Sequence, residues 1–597
     1  MHSSRWGRGV RRGRTRVLLF VLVLTGCAER EETETTGESA DTRVVALADE
    51  YLAAYFDRFP DQVTVFGVPG RTHDRLPDNS PRALAEWHAR EDAWLSAVVA
   101  LTPSTIEAPA LRATYAILRE ALESAIGARV CHPEWWPVSQ MTGWQAGFSY
   151  LATIQPVGSP AARAEALSRW SALPAFLDVE IQQLRTGLQQ GFSSPRHIVR
   201  IVIEQVTALV LASTNHPPAA TEDASPFLSP AQRDEDERFR QSFTDLVESR
   251  LVPAFRRYRD FLETEYLPAA RDAIAVAALP DGRACYDALV RQHSSLPMTA
   301  SEVHRVGLAQ MDRLMGEMRT IAERGFHTSD VGRLLARLRT DRQFMFRDRA
   351  DLIDYTRAAV GRARAAAPAW FGRLPQADVA IEPYPSFREK NGANEYNPPA
   401  EDGSRPGLFY ISAYQADRTS RAIAEATAFH ETIPGHHLQT ALALEQPGIH
   451  PLGRYLYNSG YSEGWGLYAE RLADEMGLYS GDLDRLGMLG SQALRAARLV
   501  VDSGMHAQGW SRDEALAYLL AHTAEARDYL ASEVDRYIIW PGQATSYMLG
   551  LIEIQRAREE AERRLGSRFS RLRFHDRVLA QGSVPLTFLS AQLRQIE

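Results

Sequence analysis

The stretch HETIPGHH, His430 to His437, decides how this chain is read. Its first two residues open the pattern H-E-x-x-H, in which two histidines one helical turn apart hold a zinc ion and the glutamate serves as base. Here Ile433-Pro434 fall where the pattern ends, and histidines follow only at plus six and plus seven, His436 and His437. A spacing of four turns a helix by about 400°, close to one full turn, with a rise of about 6 Å. A spacing of six points the second side chain about 120° away, and a spacing of seven lifts it about 10.5 Å. Bonds of about 2.1 Å reach neither. A regular helix therefore forbids both histidines.

Pro434 and Gly435 say that the helix is not regular. Proline removes a backbone donor and clashes with the preceding turn; glycine permits backbone angles that other residues avoid. A two-residue bulge at Pro434-Gly435 returns His436 to the four-residue phase and leaves His437 out of phase, so His436 is favoured as second ligand and His437 is the alternative. The alanine-rich run Ala422 to Phe429 suits a buried helix. Burying Glu431 and two histidines there is costly without a metal or partners.

A third ligand is expected from a nearby helix. In YSEGWGLYAERLADE, Glu463 lies 27 residues after His436, room for a helix end, a loop and a return. Gly464 and Gly466 allow close backbone approach around it. Glu470, two turns on, is the alternative. The set His430, His436 and Glu463 suits one Zn²⁺ with an open position for water.

Helical punctuation dominates the rest, and the predicted fold class is all-α, mostly helical with at most a small β element. Thr299-x-x-Glu302 and Ser511-x-x-Glu514 are capping boxes. Val303, Val306, Met311, Leu314, Met318 and Ile321 follow the first at helical spacing. Ala231 to Tyr266 reads as a helix pair broken near Pro253 and closed by Pro268. Leu408 to Ile411 is the one candidate strand. Two Pro-rich loops stand out: 215–230, a plausible seam, and 396–406, a plausible border of a cleft.

The N-terminus reads as a targeting segment. Residues 1–26 carry six arginines and an apolar run from Val17 to Leu24, too short to span a bilayer. It ends in Leu24-Thr25-Gly26-Cys27, which resembles the bacterial lipobox and implies lipidation of Cys27. Residues 27–42 are polar and acidic, a flexible tether. The body is 43–597, with an N-terminal helical half at about 43–290 and a metal-binding half at about 291–597. No later run reaches about 18 consecutive apolar residues. Removing six arginines with the leader takes the formal charge from −8 to about −14. That argues against nucleic acid as a partner and leaves a membrane anchor through the lipid. Cys131 and Cys285 are expected as buried structural residues whose pairing the sequence leaves open. Ala28 after the lipidated cysteine leans toward the outer membrane, on the periplasmic face.

Three blocks together resemble the bacterial family known as domain of unknown function 885 (DUF885). They are His430-Glu431-x-x-Pro434-Gly435-His436-His437-Leu438-Gln439, Glu463-Gly464-Trp465 with Tyr468 and Glu470, and Trp540-Pro541-Gly542-Gln543-Ala544-x-Ser546-Tyr547. The resemblance runs from about Val44 to Glu597. It implies kinship with gluzincin-type metallopeptidases, a helical fold of two halves around a channel, and, through Gly435-His436, the choice of His436. The expected activity is zinc-dependent hydrolysis of short peptides with Glu431 as general base. Tyr547 is the expected oxyanion donor, by analogy with the downstream tyrosine of such peptidases, and His506 a second donor or substrate contact. Arg498 is expected to bind a peptide carboxylate or to pair with Asp502. A non-catalytic binding lipoprotein, and a zinc amidase or esterase, are the competing readings.

Overall fold

A computed structural model describes residues 39–215, 225–384, 394–400, 403 and 405–596. The leader, Cys27 and the tether up to residue 38 lie outside the described residues, as does most of the 215–230 loop. Residues 40–597 form one compact unit. Its first helix, α1 (Ala40–Arg58), takes in three residues assigned above to the tether; Asp41 in its first turn accepts from the backbone N–H of Glu107 at 2.8 Å.

α2 (Pro109–Ala128) packs against α5 (Gly282–Ser294). Just past α2, Cys131 is joined by a disulfide to Cys285 on α5, across 154 residues of sequence. The cysteines are buried, as expected, and they pair. α3 (Arg196–Asn215) is long and apolar enough to cross a membrane by length and composition, although charged and polar residues interrupt its apolar run. It packs Ile198, Val199, Val202, Val206 and Val210 into the core and carries exposed Arg200 and Glu204.

The expected break near Pro253 is absent. A helical run continues from Glu237 to Ala269, with π-turns at Val247–Leu251 and Leu262–Tyr266. Pro253 sits in the first turn of α4 (Val252–Phe261), directly after the first π-turn. A π-turn widens the backbone, so the missing N–H and the bulk of the ring are accommodated without ending the run.

α6 (Ala300–Phe326) starts at the predicted capping box: Thr299 Oγ1 accepts from Glu302 N–H at 3.4 Å, and Glu302 accepts from Thr299 N–H at 2.8 Å. Val303, Met311, Leu314 and Met318 are buried as the periodicity predicts, while Val306 and Ile321 are half-buried. A small sheet follows: β1 (Val379–Pro383), β2 (Glu395–Asn397) and β3 (Gly407–Ile411), in the order β1-β3-β2, with β1 parallel and β2 antiparallel to β3. Only β3 was visible in the sequence.

The core of the second half is a set of closely packed helices: α7 (Ala424–Glu431), α8 (His436–Glu445), α9 (Ser459–Glu475), α10 (Asp482–Gln508), α11 (Arg512–His522), α12 (Arg527–Ile539) and α13 (Ser546–Leu565). α11 begins at the second predicted capping box. α6 lies along α10, and α9 along α13. Both contacts depend on missing side chains. A Cβ on Gly307 would stand 2.8 Å from Leu499 and Val500, and one on Gly464 2.5 Å from the backbone of Gly550.

Candidate metal centre

The HETIPGHH stretch is not one bulged helix. α7 ends at Glu431, Thr432 to Gly435 form a turn with a cis Ile433–Pro434 bond, and α8 begins at His436. Two hydrogen bonds close the turn: Gly435 N–H to Phe429 C=O at 3.0 Å and Leu438 N–H to Thr432 C=O at 3.3 Å. The Trp465 indole donates to Pro434 C=O at 3.0 Å and ties the turn to α9. Gly435 is obligatory, because a Cβ there would lie 1.9 Å from His430 C=O. The break does what the expected bulge was to do: the His430 and His436 rings meet at 4.7 Å between centroids.

α9 brings the third group. Glu463 Oε2 lies 3.5 Å from His430 Nε2 and 3.6 Å from His436 Nε2. One donor atom from each of the three residues lies within 4.8 Å of the others. Two bonds of about 2.1 Å meeting at a tetrahedral angle put their outer atoms about 3.4 Å apart. The spacing therefore fits a zinc-sized ion. The charge fits as well: Glu431, Glu463 and Glu470 bring three carboxylates to two imidazoles.

Glu470 is not in the ligand cluster. Its Oε1 accepts from His430 Nδ1 at 2.9 Å and from Ser491 Oγ at 3.1 Å. This bond commits Nδ1 and leaves Nε2 as the atom that could coordinate an ion, the arrangement carboxylates and histidines take in metal sites. Gly466 makes room for that ring, since a Cβ would sit 2.7 Å from it. His437 points elsewhere. Its Nε2 donates to Ala377 C=O at 3.1 Å and its Nδ1 accepts from Tyr396 OH at 3.0 Å, docking α8 on the sheet.

Electrostatics follow from crowding. Burial pushes the His430 imidazole down, but the Glu463 and Glu470 carboxylates outweigh it and lift the pKa to about 9. Glu463 is pressed upward by burial and held well below the usual carboxylate range by His430 and His436. Glu431 is raised, by burial first and by Glu463, against His430, His436 and Arg495.

Tyr547 stands in the first turn of α13, with the guanidiniums of Arg498 and Arg495 at 4.7 and 5.8 Å from its ring centre. Burial raises its phenol, and Glu463 raises it further. Arg498 pairs with Glu533 at 2.7 Å and Tyr537 OH at 2.9 Å, not with Asp502. Asp502 instead accepts from Tyr286 OH at 2.6 Å and Gly542 N–H at 2.9 Å.

The expectation for His506 is overturned. It is fully buried, its Nδ1 accepts from Val276 N–H at 3.2 Å, and its Nε2 donates to Tyr537 C=O at 2.9 Å. Both ring nitrogens are spent on the fold, and burial drives its pKa to about 4. A residue so committed cannot touch substrate. One site residue escaped the sequence reading: Tyr457, 63% exposed, donates to Glu463 Oε1 at 2.8 Å. It lies in the turn before α9, where no periodicity applies. The one cue was the density of tyrosines, 455, 457 and 461, ahead of Glu463.

Fold and site thus define a helical protein with a preassembled two-histidine, one-glutamate cluster held by three neighbouring helices. The chain belongs to the family described as bacterial protein of unknown function, DUF885, whose profile matches residues 60–593. Among curated proteins nothing matches. Solved structures that share the fold include two named as lipoproteins. One, a "putative lipoprotein" from Colwellia psychrerythraea, is 24% identical with a TM-score of 0.82, over 93% of this chain and 98% of that one. The other, a "putative lipoprotein of unknown function" from Shewanella oneidensis, is 17% identical with a TM-score of 0.72, over 93% and 99%.

Proposed function

We propose that this protein is a lipid-anchored, zinc-dependent peptidase of the bacterial envelope, acting on short peptides and akin to the gluzincins. The observation that carries the reading is the convergence of His430 Nε2, His436 Nε2 and a Glu463 carboxylate oxygen within 4.8 Å, with Glu431 next in sequence to the first ligand. Zinc held there would supply a water of lowered pKa and polarise the attacked carbonyl. His430, His436 and Glu463 would hold the ion, Glu470 fixing the ring of the first and Tyr457 the carboxylate of the third. The Glu431 carboxylate takes the proton of the attacking water and returns it to the leaving amine; its raised pKa suits a group that must do both. The Tyr547 hydroxyl donates to the oxygen on which negative charge develops.

The anchor is Cys27, by the lipobox and by the lipoprotein names of the two structural neighbours. The Cys131–Cys285 disulfide agrees with an oxidising compartment such as the periplasm. Elemental analysis by mass spectrometry tests the centre. About one zinc per chain is expected, lost in His436→Ala and kept in His437→Ala, with peptide hydrolysis abolished in Glu431→Gln although zinc stays bound. No zinc after reconstitution, or zinc lost only in His437→Ala, would sink the reading.

A further inference from the structure

Beside the centre lies a group of cations with buried guanidinium nitrogens left unbonded. Arg495 and Arg498 sit three residues apart on α10, so they share a face. Both guanidiniums lie over the Tyr547 ring. Glu533 is the firmly ionised acid among them, and Arg498 shares it with Arg536, which bonds it at 2.9 Å. Glu525 is a second acid near both arginines, and Glu431 is within electrostatic reach of Arg495. Arg498 Nη1 and Arg495 Nε are both buried and find no acceptor among the described residues. Arg498 is only 4% exposed, and a buried guanidinium nitrogen left without an acceptor is costly. Both nitrogens are open to an acceptor, and a carboxylate is one that matches the guanidinium fork.

Its position says which anion. Arg495 Nη1 donates to Ser491 Oγ at 2.7 Å, Ser491 Oγ to Glu470 Oε1 at 3.1 Å, and Glu470 holds His430 at 2.9 Å. Three hydrogen bonds thus link Arg495 to His430 and set it beside the candidate centre. Tyr529 is 44% exposed, yet burial by surrounding protein pushes its hydroxyl up to about 12. Its hydroxyl lies within electrostatic reach of Arg498 and Arg495.

We propose that Arg495 and Arg498, with Tyr529 and Tyr547, form a subsite for the free α-carboxylate of a peptide. Resting on the peptidase reading, this makes the enzyme one that trims peptides from the C-terminus. Arg495, only half-buried, makes the contact through its planar fork. Arg498, beneath Tyr547, supplies the fixed charge.

Binding to the full chain, detergent-solubilised and stripped of metal by chelation, tests this without turnover. Tri-alanine, its C-terminal amide, and the amide of Ala-Glu-Ala are titrated by calorimetry. The free acid is expected to bind at least about tenfold tighter than either amide, as one charge-assisted hydrogen-bonded contact predicts. That preference should vanish in Arg495→Gln and weaken several-fold in Tyr529→Phe, a change at an exposed position that the fold tolerates. Equal binding of acid and amides, no binding of any peptide, or a preference that survives Arg495→Gln would overturn the proposal. So would the glutamate-bearing amide matching the acid, which would assign the subsite to an acidic side chain. The zinc and hydrolysis measurements stand apart from all these outcomes, so the peptidase reading can survive the loss of this one.

Discussion

Of the three acids around the centre, Glu463 is a member of the cluster and Glu431 follows His430 in sequence, but Glu470 works only through another residue. Its bond to His430 Nδ1 sets the tautomer and the ring angle. Glu470→Gln keeps the shape and a weaker acceptor while removing the charge. We expect it to retain the fold and to lower zinc affinity by about 10- to 100-fold, the usual cost of an outer-shell partner. Competition with a chelating dye measures this; unchanged affinity would mean that His430 is oriented by packing alone. Residue types and spacing had narrowed the ligands to His436 or His437 and Glu463 or Glu470. They carried no information on which way the rings face.

Closest packing explains the glycines in YSEGWG. Gly464 lets α9 touch α13 and Gly466 clears the ring of His430. The sequence offered close approach as the role of both, and could not say what approaches. Gly464→Ala pushes α9 from α13 beside Glu463. The expected cost is about 1–3 kcal/mol in stability, as for overpacking elsewhere, together with weaker zinc binding. Chemical denaturation and metal titration read the two effects, and a stability unchanged by the substitution would refute the tight contact. Capping boxes at Thr299 and Ser511 were legible because they are local: a side chain and a backbone three residues apart. The π-turns around Pro253 were not, because tertiary packing decides whether a proline ends a helical run or is absorbed by it.

Over the whole molecule, buried polar groups tie distant segments together. His575 is one: its Nδ1 donates to Trp370 C=O at 2.9 Å and Tyr468 OH meets its Nε2 at 2.9 Å. Burial, the main cause, holds its pKa at about 4 against 6.5 for the free group. A depressed histidine is neutral in the fold, so its contribution is complete above pH 6.5 and is lost as pH falls toward 4. Between pH 7 and 5 the wild type should therefore lose about 2 kcal/mol more stability than His575→Gln. Calorimetric unfolding of both at the two pH values checks this; parallel slopes would contradict it. The disulfide ties the segment just past α2 to α5 in the same way, within the N-terminal half, and pairing across 154 residues is set by which segments the fold makes neighbours.

Sequence alone determined what depends on short range. Helical periodicity, two capping boxes, a proline-glycine break inside a histidine cluster and a glutamate one helix later gave the fold class and the ligand candidates. Each is a property of a few successive residues and their backbone. Only the tertiary structure decided the rest: that His436 and not His437 meets His430, that Glu470 bonds the His430 ring and stays out of the three-residue cluster, that His506 belongs to the core, and that Tyr457 reaches Glu463. These are matters of direction between elements far apart in the chain, and direction is fixed when helices pack, not when they form.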